Sequence, residues 1–319
     1  MIGWSLLGLG LLLTIYTYFG YPALVLLRAR RRPRPLRPDP AWRPTVTVCL
    51  ACRDEEERVA AKLEQILALD YPAELLEILL LDDGSGDGTA ALVRERFGPR
   101  GVRLLRRPEP RGKAAGLNVL AASARSEVLL LLDCRQRIEP GVLRALLAPL
   151  ADPQAGAVSG ELMLEEEDGR PSTQGVGLYW QVEKAIRRGE ALAGSTVGVT
   201  GALYVVRRHL FPTLPEGLLL DDLAVPLAVA RQRYRIGFAP SARAWDRVAD
   251  PARERDRKLR TLGGNVELFL HWPWVLLPWK NPLWFGYLSH KLARLLVPYA
   301  LLTMLLGCLL VASPWRWLL

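Results

Sequence analysis

Histidine and cysteine are scarce, with three and four in 319 residues. His209, His271 and His290 stand far apart and at no metal-ligand spacing. Cys49 and Cys52 make a single C-x-x-C, with no second pair and no nearby histidine to complete a tetrahedral site. That argues against a zinc finger or a redox motif. The cysteines read instead as small strand hydrophobes, reduced as in a cytosolic domain. The pattern of a cleaved leader is missing too, because the positive charge follows the first apolar run and no small-residue cleavage site comes after it. Glycine and proline are plentiful but dispersed, and 50% of the chain is hydrophobic, so the bulk of it is not disordered.

What is there begins with apolar ends. Trp4 to Leu27 holds no charged residue across 24 positions, enough to span a bilayer. Tyr16, Tyr18 and Tyr21 suit its interface. RARRRPRPLRP then brings six arginines between Arg28 and Pro38. A basic run of this kind reads as topology and anionic headgroup contact, not nucleic-acid binding, and it keeps the following domain on the cytoplasmic side. Near the other end, HWPWVLLPWKNPLWFGY (His271 to Tyr287) has the tryptophan and proline content of a headgroup-level segment. Leu295 to Ala312 is an uncharged second span. The final PWRWLL reads as the opening of something more, either cut short or lost. The expected organisation is an anchor over 1–28, a basic Pro-rich linker over 29–44, a main domain over 45–250, an interfacial amphipathic segment over 251–287 and a second membrane helix over 288–319.

Between the ends, strand and helix patterns alternate. TVTVCLA (Thr45 to Ala51), Ile78 to Leu81, Val102 to Leu105 and Val128 to Leu132 read as strands. Val59, Leu63, Ile66 and Leu67 recur at helical spacing behind Asp54, which stands as an N-cap with Glu57 three residues on. Asp87 or Thr89 caps a second helix that stops at Gly98, and Lys113 to Ala124 is a third. Short loops between such elements mean an α/β domain, a mostly parallel sheet flanked by helices, with ligands at the carboxyl ends of its strands. Three features collect at those ends. They are Asp82-Asp83-Gly84-Ser85, Arg111-Gly112-Lys113 before a helix, and Asp133 after four leucines. A lysine at a helix start suits phosphate. A carboxylate after an apolar strand is costly unless paired, metal-bound or open to a cleft.

As a set these segments resemble family 2 glycosyltransferases of the GT-A fold. The counterparts of that family's motifs are ACRDEE (Ala51 to Glu56), LDDGSGDGT (Leu81 to Thr89), GKAAGLN (Gly112 to Asn118), LDCR (Leu132 to Arg135) and LDD (Leu220 to Asp222). GVTGALYVVRR (Gly198 to Arg208) is similar to the family's acceptor-side segment. The resemblance covers roughly Thr45 to Arg260, as motif matches can. It implies an inverting transfer from a nucleotide-sugar donor, usually a UDP-sugar, to a lipid-linked or saccharide acceptor. Asp222 matches the general base. Ala51, Arg53, Glu55, Asp82, Asp83, Lys113, Asp133 and Arg135 fall on the nucleotide-sugar side, and Gly201, Ala202, Asp221, Arg257 and Arg260 on the acceptor side. The expected partners are the donor, the acceptor and membrane lipids.

Two departures matter. Arg135 stands where the family's second motif aspartate binds a cation, and arginine cannot ligate one. Either Arg135 meets the phosphates itself and the reaction is metal-independent, or Asp133 holds Mg²⁺ or Mn²⁺ with the diphosphate's help, or Arg135 points into a salt bridge. Second, Arg257-Lys258-Leu259-Arg260-Thr261 lacks the tryptophan of the motif carried by polymerising relatives, so one or a few transfers are expected over a long polymer. Two rivals stay open. A nucleotidyltransferase would open on a Gly-rich phosphate loop, which ACRDEE is not, and a catalytically dead partner of another transferase would tolerate loss of Asp222. Glu165 to Asp168 reads as a solvated loop; Tyr179 to Arg188 either lines the acceptor cleft or, with Val182 and Ile186 at helical spacing, simply packs; and His290 with Lys291 and Arg294 either meets a lipid phosphate or serves as a headgroup anchor.

Overall fold

The structure is a computed structural model describing residues 1–165, 176–247 and 251–312. The chain opens on α1 (Ile2–Ile15), which widens through a π-type turn (Tyr16–Gly20) into α2 (Tyr21–Arg31). The cause is local. Pro22 has no N–H to offer the preceding turn, and the N–H of Tyr21 reaches five residues back to the carbonyl of Tyr16. α1 and α2 form one apolar rod of 30 residues with mean hydropathy 1.6.

The leucine and valine runs build the sheet. β1 (Val46–Cys52), β2 (Leu76–Asp83), β3 (Val102–Arg107) and β4 (Val128–Leu132) are parallel, side by side in the order β3-β2-β1-β4. Between and after them run α3 (Glu56–Leu67), α4 (Thr89–Leu92, prolonged to Phe97 by a π-type turn), α5 (Lys113–Ser123), α6 (Val142–Leu150), α7 (Val176–Ala193) and α8 (Asp221–Arg231). Val59, Leu63 and Leu146 of α3 and α6 pack on Val48, Leu50 and Leu130. Leu117, Leu120 and Val225 of α5 and α8 pack on Cys49, Leu81 and Leu131 on the opposite face. Covered on both sides, β4 can be leucine throughout, and all five of its residues are buried.

Beyond β4 the sheet is mixed. β5 (Arg137–Ile138), β6 (Ala155–Glu165), β7 (Leu203–Arg207) and β8 (Arg235–Arg247) extend the order to β4-β7-β6-β8-β5. β7 is antiparallel to both β4 and β6. The parallel pattern read from the sequence runs unbroken through β3-β2-β1-β4 and returns where β6 pairs with β8, so the sheet is mostly parallel with β7 and β5 reversed. The reversal has a consequence, because the start of β7 (Leu203) pairs with the end of β4 (Leu132). Loop 194–202 is thereby delivered to the same edge as Asp133.

The C-terminal part comprises α9 (Pro251–His271), α10 (Trp284–Gly286) and, after a π-type turn, α11 (Ala293–Ala312). Trp284–Val311 is the second helix long and apolar enough to cross a membrane, with mean hydropathy 2.0. α9 has two apolar faces. Leu268 is buried inward and Gly264 abuts Leu219 and Leu220, whereas Leu259, Leu262, Val266 and Leu270 form an exposed stripe. The tryptophan-rich segment is partly folded onto the domain, with Val275 buried and the Arg231 guanidinium 4.7 Å from the Trp274 ring, while Trp279 is exposed.

His290, Lys291 and Arg294 correct the headgroup expectation. His290 is buried between Glu190 Oε1 (2.7 Å) and Glu183 Oε2 (3.0 Å) of α7, and Arg294 Nη1 donates to Glu183 Oε2 at 2.7 Å. Lys291 lies 3.8 Å from Glu183. These side chains pair with carboxylates that the sequence separates from them by about a hundred positions. Burial works against ionised Glu183 and Glu190, yet His290 and Lys291 hold both carboxyls below their ordinary value, with Arg187 helping at Glu183. Ile186 packs on Tyr21 and Val25 as expected, whereas Val182 is exposed. Of the acidic run, residues 166–168 lie outside the described residues.

α1 meets α11 through glycine. A Cβ on Gly10 would come within 2.6 Å of the Ala300 carbonyl oxygen, and one on Gly307 within 2.7 Å of the Gly3 oxygen. Small residues here let two backbones touch. Gly10→Leu should therefore force the pair apart and lower stability by about 1–3 kcal/mol, read as a lower melting temperature of the full chain in detergent. Gly8→Leu, where nothing lies within 4 Å, is the control expected to leave it unchanged.

Candidate active site

The site is built from four loops at one sheet edge. The first two are stitched together. The N–H groups of Asp54, Glu55 and Glu56 donate to Ser85 Oγ (2.9 Å), Thr89 Oγ1 (3.0 Å) and Asp87 Oδ2 (3.1 Å), while Gly86 and Gly88 donate back to Asp54 Oδ1 (2.8 Å) and Glu56 Oε2 (3.0 Å). Asp54 is therefore not the N-cap of α3. Its φ of +52° turns the chain away, the cap position falls to Glu55, and the Asp54 carboxylate serves the neighbouring loop. Asp87 also accepts from the N–H of Thr89 at 3.0 Å, but the N-cap position of α4 is Gly88, so neither Asp87 nor Thr89 is the cap expected from the sequence. Ala51 and Cys52, opposite Leu81 and Asp82 in register, bring the two loops alongside. Arg53 is half-exposed and pairs with Asp54 at 3.4 Å, and Glu55 receives Arg58 at 3.0 Å.

Asp82 and Asp83 face inward. Asp82 is fully buried. Its Oδ1 accepts from the N–H of Ser85 (3.2 Å), and its Oδ2 lies 3.2 Å from Arg106 Nε without hydrogen-bond alignment. Asp83 accepts from the N–H groups of Gly112 (2.8 Å) and Arg111 (3.2 Å) and from Arg107 (3.2 Å). Gly112 sits at φ +82°, where L side chains are strained. Asp83 and Gly112 together aim the next residue, Lys113.

Lys113 is the centre. Its Nζ lies 2.8 Å from Asp133 Oδ1 and 3.3 Å from Asp221 Oδ2. Gly201 lies beside both Lys113 and Asp222, since a Cβ there would be 3.7 Å from Lys113 Nζ and 3.5 Å from Asp222 Cβ. Burial disfavours the ammonium, but Asp133 and Asp221, with Asp222 behind them, outweigh it and hold the Lys113 pKa above its ordinary value. Burial pushes Asp221 up, opposed by Lys113 and reinforced by Asp222 and Asp133. Asp221 is 3% exposed, and Asp222 is only partly buried. Both sit in the first turn of α8, where the helix dipole favours a carboxylate.

Arg135 is in the third of the three arrangements weighed for it. Its Nη2 donates to Asp246 Oδ2 at 2.7 Å, and Gln136 Nε2 donates to the same oxygen at 3.0 Å. The partner is no surface group, since Asp246 is buried on β8. Asp133 is left as a single, 35% exposed carboxylate. No group of three or more metal-ligating side chains exists among the described residues. One exposed carboxylate fits a cation that draws its remaining ligands from a diphosphate and water. Ala202 is buried in the core, Arg260 is exposed on α9, and the side chain of Arg257 lies outside the described residues.

Sequence reasoning missed two residues. Lys62 of α3 is buried and donates to the Gln136 carbonyl, under the loop that carries Asp133 and Arg135. Tyr204 of β7 is fully buried, and burial, then Asp221 and Asp222, push its phenol well up. Neither carries a sequence signal, because both lie inside regular elements.

Residues 47–214 match the family model described as Glycosyl transferase family 2. Poly-beta-1,6-N-acetyl-D-glucosamine synthase of Staphylococcus aureus (strain COL) is 26% identical over 231 residues, covering 71% of this chain and 53% of that protein. The synthase of the same name from Staphylococcus epidermidis is 24% identical, covering the same shares. The chain spans about half the length of the curated relatives it matches. The solved mannosyltransferase PcManGT from Pyrobaculum calidifontis, in complex with GDP-Man and Mn²⁺, superposes with a TM-score of 0.77 at 27% identity, over 97% of this chain and 88% of that one. The GT-A architecture expected from the motifs is thus the fold of this chain.

Burial moves Lys62 from 10.5 to about 8. With the folded pKa below the unfolded one, the unfolded chain binds more protons between about pH 8 and 10.5, so this residue makes stability rise with pH across that window; below it the cost, on the order of 3 kcal/mol, is constant. A melting series should show Lys62→Met with a flatter profile than wild type between pH 8 and 10.5 and a parallel one below.

Proposed function

This chain belongs to glycosyl transferase family 2, and on that premise we propose that it moves a sugar, with inversion, from a nucleoside-diphosphate sugar to a lipid-linked or saccharide acceptor at the cytoplasmic face of a membrane. The observation that carries the reading is the convergence of Lys113, Asp133, Asp221 and Asp222 at one sheet edge. Asp222 is the general base. Its neighbour Asp221 is buried and committed to Lys113, whereas Asp222 is partly open at the start of α8. The acceptor hydroxyl attacks the anomeric carbon, its proton passes to Asp222, and the bond from that carbon to the diphosphate oxygen breaks. Lys113 stands ready to balance charge on the departing diphosphate. Asp133 is the residue that would hold a divalent cation beside the diphosphate, and such an ion would supply further charge neutralisation there.

The donor read from the motifs is a UDP-sugar. The GDP-Man of the solved relative makes GDP-mannose the second donor to assay. The polysaccharide synthases among the relatives favour a second reading, repeated extension, which product-length analysis separates from single transfer. The threonine at position 261 favours single or few transfers.

Asp222→Asn should lower the transfer rate by about 10²–10⁴-fold while donor binding, followed by calorimetry, changes little. Unchanged turnover would remove Asp222 from the base role. Exhaustive chelation should abolish transfer and added Mn²⁺ should restore it, whereas Arg135→Gln should leave the metal requirement in force. Full activity after chelation would pass the charge role to Arg135 and Lys113 alone.

A further inference from the structure

Away from the candidate active site, α2 and α7 enclose a cavity of about 470 Å³ that none of the catalytic groups line. The two helices meet closely below it, where a Cβ on Gly189 would come within 2.9 Å of Val25. The cavity wall is apolar on one side, with Leu26, Ala29 and Ala185, and cationic at the rim, with Arg30, Lys184 and Arg188. Two of these cations, Lys184 and Arg188, share one buried carboxylate. Glu161 takes Arg188 at 2.7 Å and stands 4.0 Å from Lys184, whose nearer contact is Met163 Sδ at 3.6 Å. Arg30 is exposed and has no hydrogen bond or ion pair among the described residues. The groove therefore offers apolar wall and uncompensated positive charge side by side.

Its level along the molecule selects the occupant. Leu26, Ala29 and Arg30 belong to the last turns of the 30-residue apolar rod, where Arg28, Arg30 and Arg31 end the helix. If the rod crosses a bilayer, these turns lie at headgroup depth, where basic side chains attract anionic lipid. We infer that the groove seats one anionic phospholipid of the surrounding bilayer. Its phosphate is bonded by Arg30 and Lys184, and the upper part of one acyl chain lies along Leu26, Ala29 and Ala185. The lipid is a bound ligand separate from donor and acceptor, and it braces α7 against the membrane rod. The assignment rests on the membrane reading of α1–α2 and not on the identity of the sugar.

The test uses the full chain, reconstituted into phosphatidylcholine nanodiscs with and without phosphatidylglycerol and then examined by native mass spectrometry. Wild type should retain one phosphatidylglycerol under conditions that strip phosphatidylcholine. Arg30→Glu with Lys184→Gln should reduce that retention by about tenfold or more, the effect of removing two headgroup-level cations and adding one negative charge. Ala185→Phe, which fills the groove without touching charge, should reduce retention of the same lipid. Both variants should keep the wild-type melting temperature in detergent. Equal retention of both lipids by wild type, or undiminished retention in both variants, overturns the assignment. So does loss of the bound phosphatidylglycerol on adding a polyprenyl phosphate, which would give the groove to the acceptor. Failure of the chain to partition into vesicles at all would overturn the membrane reading as well, and the two failures are thereby told apart.

Discussion

One ammonium group makes the candidate site possible. Asp133, Asp221 and Asp222 come from distant parts of the chain, and three carboxylates at one sheet edge repel unless a cation stands among them. Lys113 is that cation, at 2.8 Å from the first and 3.3 Å from the second. Its position is set from behind. Asp83 clamps the N–H groups of Arg111 and Gly112, and the left-handed glycine turns Lys113 inward at the start of α5. Asp83 thus holds the loop that holds the lysine. A group that neutralises carboxylates at rest is also placed to neutralise a diphosphate in their midst, since one electrostatic need serves both states.

The same site is tied to the two long apolar helices through buried charge. Glu190 accepts from Tyr21 of α2 and from Thr196 and Val197, and it faces His290 beside α11. Thr196 and Val197 begin the loop that ends at Gly201 beside Asp222, and the N–H of Val199 bonds the Asp222 carbonyl at 3.0 Å. α9 adds a second tie, with Gly264 against Leu219 and Leu220 just before Asp221. Buried ions are retained at a desolvation cost, and each here is answered by partners on another element. Asp222 and loop 194–202 are therefore held in register with the apolar rods.

Much of this was legible beforehand. The strands, the helix after Lys113, the two apolar rods and the family motifs all lie in contiguous runs whose period or residue types carry their own meaning. The legible part stopped where partners lie far apart in sequence. Asp54 had the look of an N-cap, but a positive φ and the N–H of Gly86 made it a loop clasp. His290, Lys291 and Arg294 had the look of a headgroup anchor, but Glu183 and Glu190 claimed them first. Lys62 and Tyr204 gave no signal, because one buried amine in a helix and one buried phenol in a strand look like any other core position until their surroundings are known.

By itself the sequence determined the composition of the parts. Apolar period and length set strands and rods, and the order of acidic and glycine residues marked the strand ends where chemistry belongs. Tertiary structure alone decided which charges pair and which stay open. It seated Arg135 on Asp246, committed Asp221 to Lys113, left Asp222 partly exposed, and ran β7 antiparallel so that Gly201 reached the edge of β4. The reason is physical: hydrophobic periodicity is a local property written residue by residue, whereas an ion pair or a burial is a property of two distant segments, and exists only once folding has brought them within a few ångströms.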